Sequence, residues 1–481
     1  MSAAFRAIVV VLVIAAVVFT GALYIGYRNG LNAAQQSADV PSGNLASLNL
    51  ADVLGPHAAD DQLVALAFRQ VERVYYKPVD AQTLVNGERS GLVGYLREEL
   101  RARKAPVTVT AKVALPPVQA TGDQAQDLHA MDNELAAAQN RYSQYLGATG
   151  RTDLTQAAIS GMLGALKDPY TVYLSPDQIR SLNEQLNGGN FGGIGVFIYQ
   201  LKTGAVVLQP IEGLPAARAG MKSEEIIDRI DGSAISGLQL DRVERLIRGS
   251  EGTRVMITTH DYAKPASHHS YDIVREIIHV PTVHQKMEDG YNYIRLSDFG
   301  ETSADEVHKA LLSGKAHHAK GTILDLRDNG GGLLDAAVSI SSFFVPHGVI
   351  VTEIDRQGNR EPQYANGSTL SGVTPLVILV NGYTASASEI TSGALQDYKL
   401  ATLVGTKTFG KGVVQGIFSM PNGGALKITT QRYVTPSGRD IQHKGIEPNI
   451  LVNQNPQADI IDTPADKQLK AAKAFLNRVT R

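Results

Sequence analysis

Residues 376–398 read LVILVNGYTASASEITSGALQDY, and this stretch decides the fold class. It begins with a continuous apolar run that ends at Val380, which is typical of a strand buried on both faces. A turn of small residues follows, and a helical pattern starts near Ala385–Ser388. The same succession of strand, turn and helix recurs from about residue 290 onward. This alternation predicts a layered α/β core in which some strands are parallel.

The turn within this stretch places a serine where nucleophilic chemistry can occur. A serine at a strand-to-helix turn exposes its hydroxyl above the sheet and leaves the next backbone N–H free, as in activated serine nucleophiles. Ser386 is the candidate. The same residues also fit a helix cap, because Ser386-x-x-Glu389 has the spacing of a capping box. Taken alone, this segment favours the cap and leaves the nucleophile open.

A second segment, LDLRDNGGGLLDAAV at 324–338, is a predicted strand, a turn of three glycines and a helix. Unhindered backbone N–H groups at such a helix start form an anion site. The anion could be a phosphate or the oxyanion of an acyl-transfer intermediate. Phosphate is the weaker choice because neither G-x-x-x-x-G-K-[ST] nor G-x-G-x-x-G occurs here. Gly331 and Gly332 could equally serve only as a tight turn.

A third segment, GTKTFGKGVVQGIF at 405–418, places Lys411 between two glycines, which leave room for another chain close by. A lysine acts as a general base only when it is neutral, so Lys411 would need burial to lower its pKa. Phe409 and the valines after the lysine suit that burial. In the strand that follows, Gln415 points to the same face as Lys411 and can hold its amine. A G-K-G surface turn is the ordinary alternative.

Composition and motifs exclude several other chemistries. The chain has no cysteine, which rules out disulfides, thiolate metal sites and a cysteine nucleophile. Lys plus Arg (45) and Asp plus Glu (47) nearly balance, so no nucleic acid is expected as a partner. No H-E-x-x-H, G-x-S-x-G or S-x-x-K motif occurs in the 481 residues. We therefore expect neither a metal nor a cofactor, and Lys411 is a better candidate for the base than any histidine.

An uncharged run of 19 residues, AIVVVLVIAAVVFTGALYI at 7–25, fits the length of a helix that crosses a membrane. No clear small-x-small cleavage site follows it, so we favour an uncleaved signal anchor over a cleaved signal peptide. Arg6 before the run places the chain start in the cytoplasm. The rest of the chain is then expected on the extracytoplasmic side, either periplasmic or extracellular.

Changes in sequence character divide the chain into segments. The phrases at 84–96 and 154–166 are alike. Two amphipathic helices of similar composition account for this better than the alternative, a weak duplication. The predicted segments are a membrane anchor at 1–28, a polar linker at 29–60, a helical segment at 61–186, a small β-barrel-like module at 187–275, an α/β core at 276–455 and a C-terminal tail helix within 456–481.

Together these segments resemble the C-terminal processing peptidases, the tail-specific proteases that use a Ser–Lys dyad. T-A-S-A-S-E-I at 384–390 is similar to the serine segment of that family and puts the nucleophile on Ser386. T-F-G-K-G puts the base on Lys411, 25 residues later, and Gln415 stands in the place of the third member of the family's site. The late signatures T-P-S-G-R-x-I and G-I-x-P are present as well. The resemblance implies the α/β core fold of Clp protease and crotonase.

The resemblance also implies an oxyanion site. The L-R-x-N-G-G-G loop, which starts at Leu326, supplies an oxyanion donor in that family. In this sequence the backbone N–H of Gly332 is the first choice for that donor and the N–H of Gly331 is the second. The N–H of Ala387 would be the other donor. Thr384 stands where Ser is commoner, a change that removes no chemistry.

The same family carries a PDZ domain before its core, and FGGIGVFI at 191–198 resembles the PDZ carboxylate-binding loop. The resemblance implies that the backbone N–H groups of Gly193, Ile194 and Gly195 take the terminal carboxylate of a substrate, which adds as a strand. One departure from the family is a stretch of about 55 residues, roughly 97–151, that looks inserted within the helical segment.

These features predict a membrane-anchored serine endopeptidase, a hydrolase for carboxy-terminal processing that cleaves near the C-termini of protein substrates. Its partners would be protein or peptide chains and the membrane, and a homo-oligomer is left open. A catalytically inactive PDZ scaffold that only binds proteins is the main alternative. An acyl-CoA enzyme of the crotonase type would share the glycine loop but would not need Lys411 and Gln415 at that spacing.

Overall fold

The structure, a computed structural model, describes residues 58–111, 113, 115, 118–147, 149–186, 191–201, 203–455 and 461–480. The predicted anchor at 7–25 lies outside these residues, and among the described helices none is both long and apolar enough to span a membrane. The chain divides into two compact units. One takes in residues up to Asn183 and from Val283 onward, and the other is Glu184–Thr282. The predicted module at 187–275 lies inside the second unit.

The first unit begins with helices that pack on one another around a common apolar cluster. The sequence has helical periodicity over 61–100, and in the structure the helical backbone is interrupted at 75–80. Pro78 accounts for the break, because proline cannot continue a helix and disfavours helical backbone in the residue before it. The elements are α1 (Ala58–Val74), α2 (Ala81–Ala102), α3 (Val107–Ala111), α4 (Gln124–Tyr142), α5 (Gly150–Gly164), β1 (Val172–Leu174) and α6 (Pro176–Leu186).

Glycines allow α2 and α5 to pack with their backbones in contact. A Cβ atom on Gly87 would lie 2.6 Å from the Cβ of Ala165, and one on Gly161 would lie 2.6 Å from the Cα of Gly91. A Cβ on Gly91 would overlap the carbonyl oxygen of Ala157. The similar phrases seen in the sequence therefore form the two faces of one close helix crossing.

The second unit is a small antiparallel β module with its own apolar core. Its larger sheet has the order β3-β4-β5-β7-β8, with β6 added beside β5, while β2 and β9 form a separate pair. The sequence predicts short strands around one or two helices for this segment. The elements are β2 (Phe191–Gly193), β3 (Val196–Gln200), β4 (Val206–Pro210), α7 (Pro215–Arg218), β5 (Glu225–Ile230), β6 (Ser233–Ala234), α8 (Leu240–Ile247), β7 (Arg254–Asp261), β8 (Lys264–Val274) and β9 (Glu276–Ile278).

The α/β core of the first unit contains a sheet in which successive strands alternate with helices. The strand order is β10-β11-β12-β15-β16-β19, and all of these neighbours are parallel except the edge pair β10–β11. The prediction of parallel strands is confirmed. The elements are β10 (Val283–Glu288), β11 (Tyr291–Leu296), α9 (Ser303–Ala316), β12 (Thr322–Asp325), α10 (Leu334–Ser342), β13 (Val349–Ile354), β14 (Arg360–Tyr364), β15 (Leu376–Val380), α11 (Ala387–Asp397), β16 (Ala401–Gly405), β17 (Val413–Ser419), β18 (Ala425–Val434), β19 (Ile450–Leu451) and α12 (Lys467–Val479).

The central strand β15 is covered on both faces. Leu376, Ile378 and Val380 pack into one apolar cluster, while Val377 and Leu379 pack into a second cluster that includes helix α12. This is why the strand reads as an unbroken apolar run in the sequence.

A second, antiparallel sheet joins the helical segment to the core. Its order is β1-β18-β13-β14, and β17 also pairs with β18. Strand β1 comes from the helical segment, and its Val172 lies opposite Lys427 of β18. The residues just before β1 therefore approach one edge of β18, while β17, which follows the G-K-G turn, pairs with its other edge.

Candidate active site

Ser386 lies at the end of the turn between strand β15 and helix α11, as the sequence predicts. Its backbone has φ +55° and ψ −117°, a conformation that non-glycine residues rarely adopt and that is strained. The turn is held by the side chain of Thr384, which accepts the N–H of Asn381 at 2.9 Å and donates to the carbonyl of Leu326 at 2.8 Å. These hydrogen bonds hold the turn in shape and so help to maintain the strained backbone of Ser386.

The glycine loop between β12 and α10 packs directly against this turn. Gly331 has φ +106°, and a Cβ there would lie 2.8 Å from the Cβ of Ser386 and 2.9 Å from the backbone nitrogen of Ala387. Gly332 has φ +141°, and a Cβ there would lie 2.7 Å from Oδ1 of Asp298. Glycine is thus required at both positions by backbone conformation and by lack of space.

The two glycines differ in what their N–H groups do. The N–H of Gly331 donates to Oδ1 of Asn329 at 2.9 Å, so it is already paired. In the described part of the chain, the N–H groups of Gly332 and Ala387 have no acceptor. Of the two glycines, Gly332 is therefore the one whose backbone N–H could donate to an added anion.

Lys411 is buried, with 2% of its surface exposed. Its Nζ lies over the ring of Tyr170, 4.7 Å from the ring centroid. Burial lowers the pKa of Lys411 well below its ordinary value, and the charge of Lys427 lowers it further, whereas Asp168 and Glu389 oppose the shift. The amine is therefore poised to lose its proton far more readily than a surface lysine.

One detail of the sequence-based prediction for Lys411 is wrong. Phe409 was expected to cover the lysine, but this ring is 54% exposed. The backbone N–H of Phe409 donates to the carbonyl of Thr384 at 3.0 Å, which ties the lysine turn to the serine turn. One residue that does cover the amine of Lys411 is Tyr170, which is distant in sequence.

Glu389 connects the serine and lysine turns, a role that sequence reasoning missed. Its Oε2 accepts the backbone N–H of Ser386 at 3.0 Å and that of Lys411 at 2.8 Å. Its Oε1 accepts the N–H of Gly410 at 2.8 Å and the hydroxyl of Thr408. Burial raises the pKa of Glu389, while these four donors act against that rise. The capping-box spacing signalled the first of these bonds but none of the other three.

Tyr433 of β18 makes a second connection between the two turns. Its buried hydroxyl lies 2.5 Å from the carbonyl oxygen of Lys411 and 3.2 Å from that of Ser386, and it can donate to both. The only local signal for this residue is its position just before the T-P-S-G signature. The two turns are therefore connected twice: Glu389 binds backbone N–H groups of both, and Tyr433 binds backbone carbonyl groups of both.

Gln415 is buried in β17, opposite Thr429 of β18. Neither its amide nitrogen nor its amide oxygen has a hydrogen-bond partner among the described residues. The hydrogen bond expected between Gln415 and the amine of Lys411 is therefore not formed in this structure. The side chain stays a candidate because its polar group is enclosed next to the lysine turn.

The predicted carboxylate-binding residues lie together in the second unit. Gly193 ends β2, where it pairs with Glu276 of β9. Ile194 is buried and its carbonyl accepts the N–H of Ala216 at 2.8 Å. Gly195, which precedes β3, has φ +72°, a left-handed conformation that favours glycine.

Comparison with known proteins identifies the family. The sequence profile of peptidase family S41 matches residues 290–452, that of the N-terminal domain of the activating protease CtpB matches 110–178, and a PDZ domain profile matches 206–259. A carboxy-terminal-processing protease from Bartonella bacilliformis is 38% identical over 319 residues, which are 65% of this chain and 72% of that protein. The chain belongs to the carboxy-terminal-processing proteases.

Other members of the carboxy-terminal-processing proteases are similar to a comparable extent. A probable CtpA-like serine protease from Staphylococcus aureus is 35% identical over 330 residues, 68% of this chain and 66% of that protein. The solved photosystem II D1 C-terminal processing protease covers 87% of this chain and 97% of its own length, at 26% identity and a TM-score of 0.46. As a member of peptidase family S41 with a PDZ domain, this protease is a serine-type peptidase. The match to the CtpB N-terminal domain begins inside the stretch at 97–151 that looks inserted.

Proposed function

We propose that this carboxy-terminal-processing protease is a membrane-anchored endopeptidase that cleaves near substrate C-termini with a dyad of Ser386 and Lys411. The observation that carries the proposal is the shared carboxylate oxygen of Glu389, which accepts the backbone N–H of both residues. One side chain thus connects the turn that carries the nucleophile with the turn that carries the base, although 25 residues separate Ser386 from Lys411.

The chemical steps follow from the proposed roles. Neutral Lys411 takes the hydroxyl proton of Ser386 while Oγ bonds to the scissile carbonyl carbon. The carbonyl electrons move onto oxygen, where the N–H groups of Gly332 and Ala387 stabilise the negative charge. The carbon–nitrogen bond then breaks, and the Lys411 ammonium protonates the leaving amine.

The second half of the reaction releases the acyl group. A water molecule attacks the ester on Ser386, and Lys411 takes one of its protons. The ester bond breaks, the proton returns to the serine oxygen, and the substrate leaves with a new terminal carboxylate. Gln415 is proposed to orient the Lys411 amine during these transfers. Its enclosed amide, with no partner in the described chain, supports that role.

The lowered pKa of Lys411 supports its proposed role as the base. An ordinary lysine is protonated at neutral pH and cannot accept a proton. Burial and the nearby charge of Lys427 favour the neutral amine here. The backbone of the flanking turn is held by hydrogen bonds from Gly410 and Lys411 to Glu389.

The PDZ-bearing unit is proposed to capture the substrate through its C-terminus. Backbone N–H groups of Gly193, Ile194 and Gly195 would receive the terminal carboxylate, and the substrate would pair as a strand. Binding of a fluorescent peptide to the Ser386→Ala protein should be strong with a free C-terminus and weak with an amidated one. Equal binding of the two peptides would contradict this part of the proposal.

The mechanism is tested with single variants of the full-length protein. Ser386→Ala and Lys411→Ala should each lower cleavage of an unstructured peptide by at least about 1000-fold, as loss of a nucleophile or its base does elsewhere. Lys407→Ala is the matched control, because this lysine lies in the same turn and is 52% exposed. A fluorophosphonate probe should label the unaltered protein at Ser386. Full cleavage by either active-site variant would contradict the Ser386–Lys411 dyad. An unaltered protein that neither cleaves the peptide nor is labelled would favour the inactive scaffold.

The membrane anchor is proposed from the 19 uncharged residues at 7–25. The protein should stay with the membrane fraction after an alkaline carbonate wash, and protease added outside intact cells should digest the catalytic part once any outer barrier is opened. Release by the wash would contradict the anchor. Protection from the added protease would contradict the extracytoplasmic location.

A further inference from the structure

Lys411 is approached by residues from outside the serine, glycine and lysine turns. The loop before β1 carries Asp168 and Tyr170, and the ring of Tyr170 lies 4.7 Å from the amine of Lys411. Strand β18 carries Lys427, which is partly buried. None of these residues was assigned a role from the sequence.

Strand pairing fixes where these residues lie. Lys427 stands opposite Val172 of β1 on one side and opposite Ile417 of β17 on the other. Two residues along β18, Thr429 stands opposite Gln415. Residues two apart on a strand share a face, so Lys427 and the enclosed amide of Gln415 lie on the same face of the sheet.

Hydrogen bonds fix the loop that carries Asp168. Its two carboxylate oxygens accept the N–H of Tyr170 at 3.0 Å and the hydroxyl of Thr171 at 2.7 Å. The same Thr171 oxygen accepts the N–H of Thr429 at 3.0 Å. Thr171 therefore connects the carboxylate of Asp168 to β18, the strand that carries Lys427, by hydrogen bonds.

The groups that act on the amine of Lys411 differ in sign. Lys427 disfavours the protonated amine, whereas Asp168 and Glu389 favour it. Burial lowers the pKa of Lys427 itself, and Asp168 opposes that shift. The phenols of Tyr170 and Tyr433 also contact Lys411, and burial raises the pKa of each, so both stay uncharged.

Glu389 differs from Asp168 and Lys427 because its carboxylate is already held by four donors that support the backbone of both turns. Removing its charge would disturb the geometry of the site. The two described hydrogen bonds of the Asp168 carboxylate stay within its own loop, so neutralising Asp168 or Lys427 leaves the bonds from Glu389 to the serine and lysine turns in place.

We propose that Lys427 and Asp168 are positioning residues that set the protonation of Lys411 through their opposite charges, with Lys427 favouring the neutral base and Asp168 opposing it. A second cation beside a reactive lysine is a known way to activate the amine. The inference rests on the proposed role of Lys411 as the base. It adds that the loop before β1, which belongs to the helical segment, takes part in tuning the catalytic core.

The test is the pH dependence of kcat/KM for cleavage of an unstructured peptide by the full-length protein. The acidic limb of that profile reports the protonation of the free base. Lys427→Met should move the limb to higher pH, and activity on the limb should fall about tenfold for each pH unit of displacement. Asp168→Asn should move the limb to lower pH. Lys427→Arg keeps the charge and should restore the unaltered profile.

Lys407→Met is the matched control. It removes the same charge from an exposed lysine in the turn that carries Lys411, and it should leave the acidic limb in place. Equal loss of activity at every pH in Lys427→Met, or a shift of Asp168→Asn in the same direction as Lys427→Met, would overturn the inference. If Lys411→Ala retains cleavage, the proposed function fails. If Lys411→Ala is inactive and the limb is unmoved in both charge variants, only this inference fails.

Discussion

The Oε2 atom of Glu389 accepts the backbone N–H of Lys411 at 2.8 Å while it also accepts that of Ser386 at 3.0 Å. A capping residue for one helix thus becomes the connection between two turns. The carboxylate is buried, so the two N–H groups cannot bond to water there. Each hydrogen bond to Glu389 replaces the bond to water that the N–H group loses on folding.

Replacing Glu389 with Gln should impair both folding and cleavage. The amide offers one acceptor oxygen in place of two, and its NH2 group would face N–H donors. We expect the free energy of unfolding to fall by about 1–3 kcal/mol, since a buried donor would lose its acceptor. Urea unfolding measures the change, and peptide cleavage should fall with it. Glu447→Gln, at a side chain 68% exposed, is the control. An unchanged midpoint for Glu389→Gln would show that the carboxylate is dispensable.

Gly331→Ala should inactivate the enzyme with little effect on folding of the rest of the core. The new Cβ would lie 2.8 Å from the Cβ of Ser386, so the glycine loop must move away from the serine. Loss of one oxyanion donor costs about 100- to 1000-fold in kcat, and we expect a loss in that range. The comparison is with Gly358→Ala, because Gly358 has a similar backbone (φ +87°) but open space around it. Similar kcat values for the two variants would argue against the proposed oxyanion site.

Lys411→Met should stabilise the protein near neutral pH. The pKa of Lys411 is lowered in the folded state, so the unfolded chain binds a proton there more tightly than the native protein does. Stability is therefore lost as pH falls from the ordinary pKa of lysine, about 10.4, down to the lowered value. The stability gained by Lys411→Met over the unaltered protein should grow as pH falls through that interval and should disappear above it.

Urea unfolding of both proteins across this pH range measures that advantage. Lys407→Met supplies the control for a change in net charge. A difference between Lys411→Met and the unaltered protein that is the same at every pH would contradict the assigned titration.

Two glycines of helix α2 should respond in opposite ways to alanine. A Cβ at Gly91 would overlap the carbonyl oxygen of Ala157 in α5, so Gly91→Ala should separate the helices and lower stability by about 1–3 kcal/mol. Gly94 has nothing within 4 Å of the same position, and Gly94→Ala should raise stability by about 0.5–1 kcal/mol. Thermal unfolding of the two variants checks the signs. Equal effects would mean that α2 and α5 do not cross at Gly91.

Local sequence was sufficient to predict those parts of the site whose shape depends only on neighbouring residues. The apolar run at 376–380 and the small residues after it predicted the strand, the turn and the helix that the structure contains. The three glycines likewise predicted the tight loop before α10, because positive φ and close approach are properties of single positions. Ser386 and Lys411 could therefore be placed on their turns without any structure.

The environment of Lys411 could not be predicted in the same way. Phe409 lies next to it in sequence yet is exposed, whereas Tyr170 is 241 positions away and lies over its amine. Gln415 was expected to reach the lysine, but strand alternation alone does not position a long side chain to form a hydrogen bond.

The sequence by itself determined which residues are candidates for the chemistry, because the turns that carry Ser386, Lys411 and the glycines depend on residue type and local geometry. Only the tertiary structure decided how they act together. Whether Lys411 can be neutral depends on burial and on the charges of Lys427 and Asp168, and these are brought near by the pairing of β1 with β18. Such electrostatic effects depend on distance in space, and strand pairing sets that distance independently of separation along the chain.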